Sequence, residues 1–439
     1  MTRTRGTLTS ACGALLALAL ASLGCTMAVD LGGDGGEGAS LVPFAGPRSS
    51  CILSDSGRLQ CFGAGGAGQL SLEPASLHAV CNGEPCEFFP STFALRNASS
   101  VALGDAFTCV VLEGAVWCAG SNAFGALARG TRDPDPHVQP LESDVSGVIV
   151  ELAAGREHVC ARRDDGTVAC WGLGNHGALG VDPATLSDCG LVDAAQEARL
   201  GLTAGETRRC ALDAVEVPGI TDARGLRTGP FGTCVLRAGG APLCFGRNVG
   251  GSLGVGMSAS EAVSTPTALL VANATDVALG ARHGCALDTL GRTHCFGLHD
   301  VGQLGVGNAA PDTCAGQPCA WTPLRVTDLA SASRVVAGDE HTCVLLDDSQ
   351  LRCFGNDTVG QVGNSSGALD DCGATPCART PRDVVEGDAV AQVVASGNHT
   401  VLVTTDGTPM AFGSNVFREC SNATADVIPW PGTVYGISP

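Results

Sequence analysis

Short apolar stretches on either side of a polar turn recur along this chain in one fixed pattern. In residues 158–180, HVCARRDDGTVACWGLGNHGALG, two apolar stretches each contain a cysteine and are separated by Asp-Asp-Gly. If Cys160 lies opposite Cys170, residues 164–166 remain as a three-residue loop, in which Gly166 can adopt the left-handed conformation. The pattern therefore predicts an antiparallel hairpin whose two cysteines are cross-strand neighbours, within disulfide reach.

The same unit occurs seven times. Its first cysteine, or the equivalent residue, stands at positions 51, 109, 160, 234, 285, 343 and 401, so the spacings are 58, 51, 74, 51, 58 and 58 residues. In the second copy Cys109 and Cys118 are one residue closer, and pairing them leaves a two-residue Glu-Gly loop, another allowed hairpin. In the last copy Val401 and Ala411 occupy the two positions. We interpret these positions as interior packing sites at which a disulfide is optional.

The repeated unit resembles the repeat of the regulator of chromosome condensation family. The shared elements are Gly-x-x-His-(Thr/Ser)-Cys-(Ala/Val)-Leu, an acidic-Gly turn, and Trp/Phe-Gly followed by Gly-x-Leu-Gly, and they extend from Leu41 towards the C-terminus. The resemblance implies an all-β fold, a seven-bladed β-propeller with a small antiparallel sheet in each blade. Composition agrees, because 61 Gly, 22 Pro and only 16% charged residues favour short strands joined by turns.

The N-terminal sequence predicts export. Arg3 and Arg5 precede an apolar run too short for a stable membrane span, and Ser-Leu-Gly then precedes Cys25. This end resembles a bacterial lipobox, which implies cleavage before Cys25 and lipidation of its thiol. Ordinary secretion with cleavage nearby is the alternative.

We therefore expect three segments: a lipoprotein signal peptide at 1–24, a Gly-rich tether at 25–40 and the propeller at 41–439. The tether composition suits a flexible link between lipid and folded body. Thr26, rather than Asp, follows the lipidated cysteine. By analogy with lipoprotein sorting in double-membrane bacteria, we expect anchoring in the cell envelope, at the outer membrane.

Twenty-three cysteines in an exported chain predict a disulfide framework. Six predicted pairs staple the hairpins: Cys51 with Cys61, Cys109 with Cys118, Cys160 with Cys170, Cys234 with Cys244, Cys285 with Cys295, and Cys343 with Cys353. Four more fasten insertions that account for the longer spacings: Cys81 with Cys86, Cys189 with Cys210, Cys314 with Cys319, and Cys372 with Cys377. Cys12 leaves with the signal peptide and Cys25 is lipidated, so Cys420 remains, either as an ordinary thiol or as an intermolecular bridge.

Charge excludes one class of partner. Loss of Arg3 and Arg5 with the first 24 residues changes the formal net charge from −19 to −21. Such a charge repels nucleic acid and anionic lipid, so we expect no nucleic-acid partner and membrane contact only through the N-terminal lipid.

Other candidate sites are better explained by the repeat. GAGGAG at 63–68 matches a dinucleotide-binding fingerprint by letter, but it belongs to the repeated Gly-x-Leu segment and lacks a following helix. His158, His283, His341 and His399 recur at one place in different copies, which favours a structural hydrogen bond in each blade over a metal cluster. No Ser-His-Asp arrangement, paired-carboxylate motif or phosphate loop stands out. We expect no catalytic residues, no metal and no cofactor.

The predicted function is a non-enzymatic, surface-exposed lipoprotein, a monomer whose propeller binds an unknown protein partner. Family members support protein binding, but the nucleotide-exchange activity of the nuclear member is not carried over, because no residue-by-residue match to an exchange site is present. The alternative is recognition of carbohydrate or cell-envelope polymers, or an enzyme acting on them. Four Trp and one Tyr offer little stacking surface for that alternative. The variable loops, above all the insert between Cys189 and Cys210, are the expected binding elements.

Overall fold

The structure is a computed structural model that describes residues 40–191, 202–256, 261–364, 369–373, 375–384, 389–420 and 425–437. The predicted signal peptide, the lipidation site Cys25 and the tether up to residue 39 lie outside the described residues. So does part of the long insert, at 192–201.

The chain forms seven antiparallel sheets, one after another. The first sheet contains β1 Leu41–Ala45, β2 Ser49–Ser54, β3 Arg58–Ala64, β4 Ala79–Cys81 and β5 Glu84–Arg96. The second contains β6 Ser100–Leu103, β7 Phe107–Leu112, β8 Ala115–Asn122 and β9 Asp133–Glu142. The third contains β10 Ile149–Ala154, β11 His158–Arg163, β12 Val168–Leu173, β13 Ser187–Leu191 and β14 Thr207–Glu216. The fourth and fifth contain β15 Ala223–Gly229, β16 Gly232–Arg237, β17 Leu243–Arg247 and β18 Ala262–Ala268; and β19 Ala274–Leu279, β20 His283–Asp288, β21 Thr293–Leu298, β22 Asp312–Cys314 and β23 Gln317–Arg325. The last two contain β24 Ala332–Ala337, β25 His341–Leu346, β26 Leu351–Asn356, β27 Asp370–Asp371 and β28 Pro376–Asp383; and β29 Val390–Ser396, β30 His399–Thr404, β31 Pro409–Ser414 and β32 Val427–Thr433. Single turns of 3-10 helix occur at Pro74–Ser76, Asn175–Gly177, Pro183–Thr185 and Val249–Gly251.

The seven sheets are the blades of a β-propeller. The first strand of each blade lies innermost: these strands contact their counterparts in neighbouring blades and together line a central channel. Contacts between β1 and β29 close the ring. The predicted seven-bladed all-β fold is therefore confirmed.

The hairpin geometry follows the cysteine spacing. Cys160 is the cross-strand partner of Cys170, and Gly166 in the loop has a φ of 82°. In the second blade the two loop residues, Glu113 and Gly114, have φ values of 52° and 84°. Both loops have the residues with positive φ that such hairpins need.

Four blades have a fifth strand at their outer edge, and these are the blades with cysteine-containing insertions. We call β4, β13, β22 and β27 the insert strands; each pairs antiparallel with the fourth strand of its own blade, β5, β14, β23 or β28. The longer repeat spacings thus correspond to additional edge strands, so the insertions extend the blades outward and leave the ring intact.

The core lies between neighbouring blades. The residue after the second hairpin position, which is a cysteine in five of these blades and Ala411 in the last, is a fully buried aromatic in six blades: Phe62, Trp171, Phe245, Phe296, Phe354 and Phe412. The Gly-x-Leu-Gly segment packs on the next blade. A Cβ on Gly177 (φ 79°) would lie 2.3 Å from the Cα of Ser264 in the next blade, and one on Gly305 (φ 68°) would lie 2.8 Å from the ring of Phe354. These glycines allow the blades to approach closely.

Candidate protein-binding face

Strand direction divides the loops between two faces. One side of the propeller carries the loops that join the first strand to the second and the third strand to the fourth. We call this side the insert face, because the insertions before the fourth strands lie there. The two-to-three-residue hairpins between second and third strands, such as 55–57 and 164–166, lie on the other, the hairpin face. Leu41 pairs with Ser54, so the chain enters the propeller on the hairpin face, beside the axis.

A ring of loops surrounds the channel on the insert face. We call these loops, at 46–48, 104–106, 155–157, 230–231, 280–282, 338–340 and 397–398, the collar.

Main-chain hydrogen bonds link neighbouring collar loops. The amide of Asp105 donates to the carbonyl of Arg156 (2.8 Å), and the amide of Arg156 donates to the carbonyl of Pro230 (3.2 Å). Further round the ring, the amide of Ala281 donates to the carbonyl of Asp339 (2.9 Å), and the amide of Asp339 donates to the carbonyl of Gly397 (2.6 Å). Proline cannot donate such a bond. The series is therefore interrupted at Pro230 and at the equivalent Pro47.

Ion pairs reinforce the collar. Arg156 pairs with Asp339 three blades away, across the mouth of the channel. Burial raises the pKa of Asp339, and the neighbouring Arg156 opposes this rise. Arg48 lies 3.1 Å from Asp105, and Arg282 lies 2.6 Å from Glu340. The charged collar thus spans the channel at the insert face.

The channel itself has a volume of about 240 Å³. Small apolar side chains from the first strands, such as Ala153 and Val336, line it. Towards the hairpin face, the Nε of Arg227 lies 2.7 Å from Asp276 and one Nη of Arg227 lies 3.8 Å from Glu151. Arg227 thus links two acidic side chains, and a channel of about 240 Å³ is too small to admit a partner of protein size.

The cysteines occupy two structural positions. The six hairpin pairs are joined, with Cα atoms 4.0–4.1 Å apart, and all of their cysteines are fully buried. Cys81–Cys86, Cys189–Cys210, Cys314–Cys319 and Cys372–Cys377 are joined too, and each links an insert strand or its end to the fourth strand. The hairpin bridges therefore hold blade interiors, while the other four hold the insertions on the insert face.

Cys420 is buried and unpaired. Its amide donates to the Oδ1 of Asn415, just as the amide of Leu253 donates to Asn248 in the fourth blade. Cys420 thus stands at the leucine position of the Gly-x-Leu segment, within an apolar cluster between the last and first blades. Burial raises the pKa of its thiol, so the structure places an inert packing thiol here.

The four repeated histidines join neighbouring blades. The Nε2 atoms of His158, His283, His341 and His399 lie 3.2, 2.8, 2.9 and 2.9 Å from the hydroxyls of Thr233, Thr342, Thr400 and Ser50, respectively. Each hydroxyl precedes the first hairpin position of the following blade. Two of the hydroxyls donate onward: Thr342 to the carbonyl of Gln303 and Ser50 to that of Glu419. In those pairs the histidine must therefore donate through Nε2–H.

Burial controls the ionisation of these histidines. It lowers the pKa of His158 to about 4, and the pKa of His283, His341 and His399 to about 3. All four are therefore neutral near pH 7. The interpretation of a structural hydrogen bond in each of these blades is confirmed, but its partner, a hydroxyl in the next blade, was missed by the sequence analysis.

A sequence signal for that partner exists. In the second blade Phe107 stands in place of the histidine, and in the third blade Val159 stands in place of the hydroxyl residue that would be its partner. In the same way, Gly232 of the fourth blade replaces the histidine and Gly284 of the fifth blade replaces the hydroxyl residue. Comparison of each repeat with its successor, rather than with the whole set, could have found the pairing.

Residues 63–64 end the third strand of the first blade, and residues 65–68 belong to the turn that follows it. Within this turn the amide of Ala67 donates a hydrogen bond to the Oε1 of Gln69, and Gly68 packs on His137 and Val138 of the second blade. The segment thus performs interblade packing, and the nucleotide-binding interpretation has no structural support.

The described part of the chain contains no group of three or more His, Cys, Asp or Glu side chains placed to hold a metal ion. It likewise contains no helix of the length and apolarity needed to cross a membrane.

Three segments match models described as the regulator of chromosome condensation (RCC1) repeat: residues 149–178, 332–361 and 291–345. These fall in the third, fifth and sixth blades. The chain carries RCC1 repeats. The matched residues include Gly-x-x-His, the hairpin and the start of the Gly-x-Leu turn, which are the elements that form the collar, the blade interior and the interblade contacts.

Several known proteins are similar to this one over much of the chain. The regulator of chromosome condensation of Mus musculus is 24% identical over 377 residues, which cover 82% of each chain. The serine/threonine-protein kinase Nek9 of Mus musculus is 26% identical over 321 residues, 69% of this chain. The chain spans only 30% of that kinase's length. Yeast RCC1 (Prp20), in its crystal structure with Kap60, has the same fold, with a TM-score of 0.70, 18% identity, and coverage of 99% and 89% of the two chains.

Proposed function

We propose that this protein is an exported, non-enzymatic lipoprotein, anchored through Cys25, whose RCC1-type propeller binds another protein on its insert face. A protein-binding scaffold is the general role of such a propeller, and yeast RCC1 is itself bound to Kap60 in its crystal structure. The anchor, the location at the outer membrane and the monomeric state are further parts of this proposal.

One observation carries the choice of face. The chain enters β1 at the hairpin face, because Leu41 pairs with Ser54 next to the hairpin at 55–57. A tether from Cys25 to residue 40 would therefore hold the hairpin face towards the lipid. The insert face, with its four fastened insertions, would then point away from the membrane, where a partner protein has access.

The anchor is tested by metabolic labelling with a fatty-acid probe. The wild-type protein should be labelled and should fractionate with the envelope, whereas Cys25→Ser should be neither labelled nor retained there. Equal labelling of the two proteins would refute the anchor and favour ordinary secretion.

The binding face is tested by photo-crosslinking in cells. A photoreactive amino acid is placed at Val80, which is 74% exposed on an insert strand, or at Leu290, which is 65% exposed on the hairpin face. We expect a discrete protein adduct from Val80 and none from Leu290. An adduct from Leu290 alone would reverse the face. Retention on peptidoglycan beads without any adduct would favour recognition of an envelope polymer instead.

A further inference from the structure

The fourth blade departs from the repeat at the collar. It has Pro230-Phe231-Gly232 where the third, fifth and sixth blades have two residues followed by a buried histidine. It also has Arg247 at the start of its Gly-x-Leu segment, where the other blades have Ala64, Ser121, Leu173, Leu298, Asn356 and Ser414. Gly232 stands at the histidine position of this blade and Gly284 at the hydroxyl position of the next, so the histidine–hydroxyl contact is not used at this junction.

These departures create an arginine–aromatic cluster on the insert face. The guanidinium carbon of Arg247 lies 5.4 Å from the centre of the Phe231 ring, and that of Arg156 lies 5.7 Å from the same ring. Both distances are within the range of cation–π attraction. The ring therefore holds Arg247 in a defined position, half-buried beside the collar.

Arg247 differs from the arginines around it. Arg48, Arg156 and Arg282 each form an ion pair with a carboxylate. Within the described part of the chain Arg247 forms none, although the sequence contains 44 acidic residues and 25 basic ones. Burial lowers its pKa; Glu261 and Glu206 oppose this from a distance, and Arg282 adds to it.

A guanidinium that is partly removed from water and fixed by an aromatic ring is prepared for a planar anion. It presents a fork of N–H donors that matches a carboxylate, and little side-chain freedom remains to be lost on binding. Arginine and aromatic residues are also frequent among the residues that dominate protein–protein binding energy. The net negative charge of the chain does not forbid this contact, because salt screens charges beyond about 8–10 Å.

We propose that Arg247, held by Phe231, binds a carboxylate side chain in an acidic segment of the partner protein. This inference rests on the proposed function and specifies its partner chemistry. Arg247 belongs to the fourth blade, which has four strands in the described residues. The blades on either side of it, the third and the fifth, both carry insertions.

The probe is a fluorescent peptide with four consecutive glutamates, titrated into the full purified protein and followed by anisotropy. A peptide with four glutamines is the matched ligand control. Arg237→Gln is the matched protein control, since Arg237 is 2.7 Å from Asp222 on the hairpin side. We expect the glutamate peptide to bind, the glutamine peptide not to bind, Arg247→Gln to weaken binding at least tenfold, and Arg237→Gln to change it less than twofold.

Three outcomes would overturn the inference: equal binding of both peptides, undiminished binding by Arg247→Gln, or binding of inorganic phosphate without binding of the glutamate peptide. Phe231→Leu, which keeps apolar bulk and removes the aromatic ring, provides a second variant and should weaken binding severalfold. Thermal unfolding of each variant establishes that it is folded.

Failure of this inference differs from failure of the proposed function. If the Val80 adduct forms equally in wild type and Arg247→Gln, the propeller binds a partner but not through this arginine. If the peptide binds as expected while no adduct forms in cells, the carboxylate site exists and the proposed scaffold role is wrong.

Discussion

The imidazole Nε2 of His399 in the last blade lies 2.9 Å from the hydroxyl of Ser50 in the first blade. This hydrogen bond joins the last blade to the first, and among the described residues the last blade consists of the consecutive strands β29–β32. Arg418 stacks on Phe88 at 5.1 Å and Gln60 donates to the carbonyl of Gly436 at the same junction. Closure therefore uses the same histidine–hydroxyl contact as three other blade junctions, supplemented by the Arg418–Phe88 and Gln60–Gly436 contacts.

The hydroxyl partners should contribute unequally to stability. Thr342→Val leaves the Nε2–H of His283 buried without its acceptor, so we expect a loss of about 1–3 kcal/mol in the free energy of unfolding. Thr108→Val is the matched control: Thr108 is equally buried at the same position, but its hydroxyl has no partner in the described chain. That change should be neutral or stabilising. Equal losses in chemical denaturation would contradict the interblade role.

The buried histidines should make the fold acid-sensitive. Their pKa values in the folded state, about 3–4, lie below the value of 6.5 expected after unfolding. Below pH 6.5 the unfolded chain therefore binds protons that the folded chain does not, and stability falls as the pH falls. Each histidine contributes a slope of about 1.4 kcal/mol per pH unit until its folded pKa is reached.

A variant isolates this effect from the carboxylates, since burial raises the pKa of Asp357 to about 6 and gives the opposite slope. His283→Gln retains an N–H donor for Thr342 but does not titrate. Between pH 6.5 and 5 it should lose about 2 kcal/mol less than the wild type. Parallel stability curves for the two proteins would show that His283 does not titrate on unfolding in this range.

The last blade provides a test of the staples. Cys160→Val with Cys170→Ala copies Val401 and Ala411, which are cross-strand partners in the same way. We expect a folded protein whose free energy of unfolding falls by at most about 3 kcal/mol, the entropy of one short closed loop. Denaturant titration measures the loss. Complete unfolding of the double variant would mean that the disulfide, rather than apolar packing, forms the blade.

The outer strands provide another test. In six blades the fourth strand has a proline at the same position, directly before the residue that pairs with the second hairpin position. These prolines are Pro90, Pro140, Pro266, Pro323, Pro381 and Pro431. Proline there removes an edge donor that could pair with another chain. The third blade has Ala214, at a register shift of the same kind.

Ala214→Pro should therefore be tolerated, and should raise the free energy of unfolding by about 0.4–1 kcal/mol because it restricts the unfolded chain. Val215→Pro, one residue on, is the control. Val215 is paired directly with Cys170, and a proline there should destabilise the blade by about 3 kcal/mol. A similar loss from both variants would show that the third blade has a different outer-strand path.

The repeat itself could be predicted from the sequence because its requirements are local. Hairpin loops depend on two or three residues, as Gly166 and Gly114 show, and cross-strand cysteines depend on the loop length between them. The insertion cysteines were equally predictable, because the first of each pair lies 19 or 20 residues after the second cysteine of its hairpin. Their positions therefore needed no knowledge of how the blades are arranged.

Relations between blades were decided by the tertiary structure. The partner of His399 is Ser50, 349 residues earlier, and the partner of Arg156 is Asp339, three blades away. Neither pairing has a fixed spacing, because each depends on how seven sheets close into a ring. The exceptional position of Arg247 has the same origin: the sequence shows an arginine where the other blades have uncharged residues, and only the packed blades bring Phe231 beside it and leave it without an ion pair among the described residues.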